Sequence, residues 1–106
     1  MQRICFLLSV HPDRVEEYRA HHAEVPEQLR RDLAAAGWHN YSVFVTDAGQ
    51  VIGYLETEDF ARAMELMRDS SANAQWQELM RPLFAELTGG TADTSIAPVP
   101  EAFHLD

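Results

Sequence analysis

With 106 residues, 46% of them apolar and 24% charged, the chain suits a single globular domain whose core needs no metal or disulfide staple. Its net charge is −9, and all eight basic residues are arginines, a balance that argues against nucleic acid or an anionic membrane as the main partner. Cys5 is the only cysteine, no apolar run approaches the roughly 18 residues of a membrane span, and the N-terminus lacks a signal-peptide layout, so the cytoplasm is the expected compartment.

Arg3 to Val10 is an apolar run bounded by His11-Pro12 and reads as a buried strand. Pro12 suits the first turn of a helix that should run to about Ala36, where Gly37 is placed to stop it, and Pro26 should kink that helix or split it. Asn40 to Thr46 alternates as a strand does, Asp47-Ala48-Gly49 is a tight turn, and Gln50 to Thr57 is the returning strand of an antiparallel hairpin. Gly53, in the middle of that strand, marks a bulge or a place where another group approaches the backbone closely.

A helix led by acidic residues follows from Asp59 to about Arg68, with Phe60, Ala63, Met64 and Met67 inward. After a break at Ser70-Ser71 a further helix continues through Trp76, Leu79, Met80, Leu83, Phe84 and Leu87, with Pro82 as a kink site and Gly89-Gly90 as its end. Thr91 to Pro100 is a surface loop, and Ala102 to Leu105 is expected as a short last strand. The order β-α-β-β-α-β is the ferredoxin-like α+β pattern, an antiparallel sheet with helices on one face, in one domain over residues 1–106. Ile4, Phe6, Leu8 and Val10 oppose Cys5 and Leu7 on the first strand, so the other sheet face also needs cover, and a homodimer is expected.

Val15, Tyr18, His22, Val25, Leu29 and Leu33 recur at spacings of three and four, the mark of one inward helix face. Tyr18 and His22 stand one turn apart in that apolar stripe and must find partners inside the protein or face a ligand. His22 is either a core histidine with a satisfied hydrogen bond or an acid–base group; Tyr41 and Trp76, each taken alone, read as a strand aromatic and a packed indole. A tryptophan face beside a histidine and two tyrosines is also how a protein holds a sugar, provided the side chains converge. The five histidines offer no HxxxH pair and no cysteine partner, so no metal is expected; no GxGxxG or GKS motif argues for a phosphate cradle, and no cofactor is expected.

From the opening strand and His11-Pro12-Asp13, through Glu17-Tyr18, His22, Gly37 and His39-Asn40-Tyr41, to Phe103-His104-Leu105, the chain resembles the L-rhamnose mutarotase family. The resemblance implies a dimeric α+β barrel that interconverts sugar anomers, with His22 as proton donor and Tyr18, Tyr41 and Trp76 against the sugar. It departs from the best-known members in three places. Gln77 stands where they carry a second tryptophan, Val25-Pro26 where they carry tryptophan before the proline, and Gly90 to Ser95 replaces an NPDNSP-like loop. Gln77 either offers a hydroxyl a hydrogen bond in place of stacking or leaves the site. Two other readings fit the same architecture: a cofactor-independent monooxygenase with an apolar pocket, and a non-catalytic dimeric binding module.

Overall fold

The structure, a computed structural model, describes residues 1–85, 92 and 95–106. Three antiparallel strands, β1 (Gln2–Ser9), β2 (His39–Val45) and β3 (Gln50–Thr57), form a sheet in the order β1-β3-β2. Among the described residues, four helices, α1 (Val15–His22), α2 (Glu27–Ala35), α3 (Phe60–Met67) and α4 (Ser71–Met80), accompany it. The expected long first helix is split, with Pro26 as N-cap of α2, because proline can start a helix but not continue one. Gly37 ends α2 at φ +92° in a Schellman arrangement: its N–H donates to the Ala34 carbonyl and that of Trp38 to the Leu33 carbonyl.

The inner face of the sheet carries Phe6, Val10, Val51 and Leu55, all buried, and two apolar clusters pack over it with Leu8 and Trp76 against both. Asp59 and Ser70 cap α3 and α4, accepting from the backbone N–H groups of Arg62 and Asn73. The Ser70 hydroxyl also donates to Asp32 at 2.6 Å, tying the start of α4 to α2.

Two expectations are corrected. The last helix does not run on through Leu83 and Phe84: α4 ends at Met80, a 3₁₀ turn spans Arg81–Leu83, and Phe84 is extended. Pro82 lacks the N–H a helix needs, and the chain instead runs beside the end of β1, with Ala85 N–H donating to the Ser9 carbonyl and His11 N–H to that of Leu83. Leu87 and Gly89-Gly90 lie outside the described residues. Ala102 to Leu105 is not a strand, and Phe103 and Leu105 are each 80% exposed. The chain meets the free edge of β1 earlier, at a Phe6–Pro98 bridge and a Val99 N–H to Cys5 carbonyl bond of 2.7 Å, where a fourth ferredoxin-like strand would lie. Prolines 98 and 100 supply no N–H, which limits that pairing to a single rung.

Gly53 pairs with Phe6, and a Cβ placed on it would intrude on the Phe6 ring. The ring therefore lies directly on bare backbone. Gly53→Val should force that ring aside and destabilise the fold by about 1–3 kcal/mol, read as a lower urea midpoint with an unchanged slope.

Candidate active site

One cavity of about 480 Å³ opens between the helices and the inner face of the sheet, within the range of small-molecule sites, roughly 300–1,000 Å³. Tyr18, His22, Tyr41, Trp76 and Gln77 all line it. The sequence alone placed them on three separate elements; the fold brings them to one space. Tyr18 and His22 come from one face of α1, Trp76 and Gln77 from α4, and Tyr41 from β2.

Tyr41 reaches the cavity through an irregularity in its strand. His39 pairs with Glu56 and Ser42 with Tyr54, so Asn40 and Tyr41 together span the space opposite Leu55. This is a β-bulge, with Asn40 at φ +48° in the left-handed region that asparagine tolerates. The Asn40 amide donates to Glu56 at 3.3 Å and the Tyr54 hydroxyl to the same carboxylate at 2.8 Å, which anchors the bulge on the outer side.

The imidazole of His22 is half-buried and enclosed by rings. It stacks on Tyr18 with centroids 4.1 Å apart and meets Trp76 edge to face at 5.0 Å. Its Nδ1 lies 2.8 Å from the Tyr18 carbonyl oxygen. A carbonyl can only accept, so Nδ1 carries the proton and Nε2 is the nitrogen left to exchange one. Burial pushes the His22 pKa below its ordinary value, against a smaller upward pull from that hydrogen bond. The neutral ring therefore predominates at neutral pH.

Tyr18 is 4% exposed, and among the described residues its hydroxyl has no hydrogen-bond partner. Burial, with Tyr41 nearby, holds its phenol well above the usual range, so it stays protonated and can donate to or accept from a ligand hydroxyl. The Gln77 amide donates to the Asn73 side-chain oxygen at 3.2 Å, and buried Asn73 also lines the cavity.

The sequence reading missed several lining residues. Trp38 is buried with its indole N–H on the Ala63 carbonyl at 3.2 Å, and it packs edge to face on Tyr41 at 5.1 Å. Its place one residue after the helix-stopping Gly37 was the signal that could have found it. Phe6 forms the floor, and Val25 lines the space where the resembled family carries tryptophan. Arg30 and Arg68, which no motif marks, line it too. Among the described residues, no three His, Cys, Asp or Glu side chains cluster as metal ligands would.

A protein-family model described as L-rhamnose mutarotase matches residues 3–105. An L-rhamnose mutarotase from Oceanobacillus iheyensis is 32% identical over the whole of both chains. The crystal structure of an L-rhamnose mutarotase from Formosa agariphila covers all of both chains with a TM-score of 0.77 at 16% identity. The structure of tetracenomycin F2 cyclase from Streptomyces glaucescens also covers both chains, with a TM-score of 0.63 at 16% identity. At such identities these two structures speak for the fold alone, and they bear out the ferredoxin-like α+β reading.

A lowered histidine pKa has a consequence for stability with a definite sign. The unfolded chain binds a proton at His22 near pH 6.5 while the folded chain still resists it, so acidification through that value favours unfolding. Burial of His22 thus costs nothing in this respect above pH 6.5 and imposes a stability penalty that grows as pH falls from 6.5 toward its folded pKa. Melting temperature should drop less between pH 7 and pH 5 in His22→Gln than in wild type, and an NMR titration of His22 should show a midpoint below 6.5.

Proposed function

We propose that this chain, which belongs to the L-rhamnose mutarotase family, interconverts the α and β anomers of L-rhamnose or a closely related aldose by acid–base opening and closure of the ring. The observation that carries the mechanism is the Nδ1 contact of His22 with the Tyr18 carbonyl, which leaves Nε2 unprotonated in the neutral ring. The anomeric and ring oxygens of an aldose are both bonded to C1, so one nitrogen can serve both. Nε2 takes the proton of the anomeric hydroxyl as the bond from C1 to the ring oxygen breaks, then donates it to that ring oxygen. The open aldehyde turns about the C1–C2 bond, and the reverse transfers close the ring on the other face. A positioned acid–base group of this kind contributes roughly 10²–10⁴-fold.

The remaining side chains hold the sugar. The Tyr18 and Tyr41 hydroxyls and the Gln77 amide take its hydroxyls, and Trp76 offers an apolar face to its C–H groups. Residues 1–106 act as one mutarotase-like domain. Its site of action on this reading is the cytoplasm; among the described residues no helix is long and apolar enough to cross a membrane.

We further propose that the chain works as a homodimer built on the outer sheet face. Leu7 and Phe44, 46% and 59% exposed, flank Ile52 in one row across the three strands, an apolar stripe that a second copy can cover. The exposed Phe103 and Leu105 beyond the sheet edge would add to that contact.

Saturation-transfer NMR on the two anomers of L-rhamnose tests the mechanism. His22→Ala should lose at least about 100-fold in catalysed exchange while sugar affinity and melting temperature stay near wild type. Near-wild-type exchange in a folded His22→Ala protein would exclude the role given to this histidine. Light scattering should give twice the 12.0 kDa chain mass, falling toward one chain in Phe44→Glu.

A further inference from the structure

Acidic partners occupy most of the arginines in this protein. Arg3, Arg14, Arg19, Arg31 and Arg81 each form an ion pair with a glutamate, and Arg19 adds Asp47. That is expected where 17 acids surround eight cations. Among the described residues Arg30, Arg62 and Arg68 have no such pair, and two of these three, Arg30 and Arg68, line the cavity that holds His22. No described aspartate or glutamate lines that cavity, although the chain carries a net charge of −9. Glu24 lies in an adjoining recess with His22 and Arg30, yet forms no ion pair with Arg30.

An unpaired guanidinium offers five donors in a planar fork suited to carboxylate or phosphate oxygens. Arg30 sits on α2 and Arg68 follows the last turn of α3, both exposed, so the two guanidinium groups belong to the mouth of the cavity. His22 and Tyr18 are set deeper. Two cations at the mouth and a proton-transfer group within would orient a molecule with an anionic end outward and a reducing end inward. We propose that the cavity takes an aldose carrying an anionic substituent, a carboxylate or phosphate remote from C1, held by Arg30 and Arg68. This rests on the reading of the cavity as an aldose site. It extends the substrate class beyond neutral 6-deoxy sugars.

D-Glucose, D-glucuronate and D-glucose 6-phosphate share one ring and differ only at C6, so their relative affinities isolate the charge. Calorimetry or NMR titration in low salt should show one or both anions binding roughly twofold to thirtyfold tighter than glucose, the range for two exposed charge pairs. The tighter anion identifies carboxylate or phosphate as the preferred group. The preference should shrink in 0.5 M NaCl, as rim charges are screened. It should vanish in the double variant Arg30→Gln/Arg68→Gln, with melting unchanged, and persist in Arg62→Gln, which removes one charge away from the cavity. Equal affinities for the three sugars, or a preference that survives the double variant, would overturn the proposal. Catalysed exchange of L-rhamnose anomers by the same wild-type sample is read separately. Its loss would count against the mutarotase mechanism and leave an arginine-dependent anion preference standing.

Discussion

A single 2.8 Å hydrogen bond, from His22 Nδ1 to the carbonyl one helical turn behind it, sets the chemistry of the cavity. It needs α1 to be helical at that point, because only a helix places the Tyr18 carbonyl beneath the side chain four residues on. It also needs the ring stacked on Tyr18, which holds the imidazole plane in position. With the proton committed to Nδ1, Nε2 is left to the cavity, and the enclosing rings of Tyr18 and Trp76 exclude water that would otherwise favour the charged form. Helix, tautomer and basicity are consequences of one placement.

The surroundings divide between positioning and selecting. Trp38 and Phe6 are fixed by contacts that no ligand supplies, an indole hydrogen bond to Ala63 and a seat on the Gly53 backbone, so the sheet side of the cavity is formed before anything binds. The helix side is more varied in chemistry. Val25 contributes little bulk, Gln77 is engaged with Asn73, and the two arginines contribute charge without enclosing it. On the proposed reading, a rigid apolar floor with a varied polar rim would let the same proton-transfer group serve sugars that differ at their far end.

Periodicity made much of this legible. The three-and-four spacing from Val15 to Leu33 placed Tyr18, His22 and Val25 on one face even though Pro26 divides the helix, because each half keeps its inward side toward the same sheet. The hairpin and its turn followed from alternation and Gly49. Other features depend on contacts between distant segments, which no local pattern carries. Phe84 leaves the helical path because the end of β1 offers it a partner in Val10, and Ala102 to Leu105 has no strand partner among the described residues. The bulge at Asn40-Tyr41 depends on register with β3, and the arginines stand out only once the ion pairs of the others are known.

The close seat of Phe6 on Gly53 links two positions 47 residues apart in sequence through one shared volume. A side chain at 53 is compatible with this fold only where residue 6 has given up the space its ring now fills. Among related chains, residue size at these two sites should vary inversely. A lineage that gains bulk at 53 would first need a smaller residue at 6, and during that interval the floor of the cavity would be deeper. The order of two substitutions thus bears on which ligands an intermediate ancestor could have accommodated.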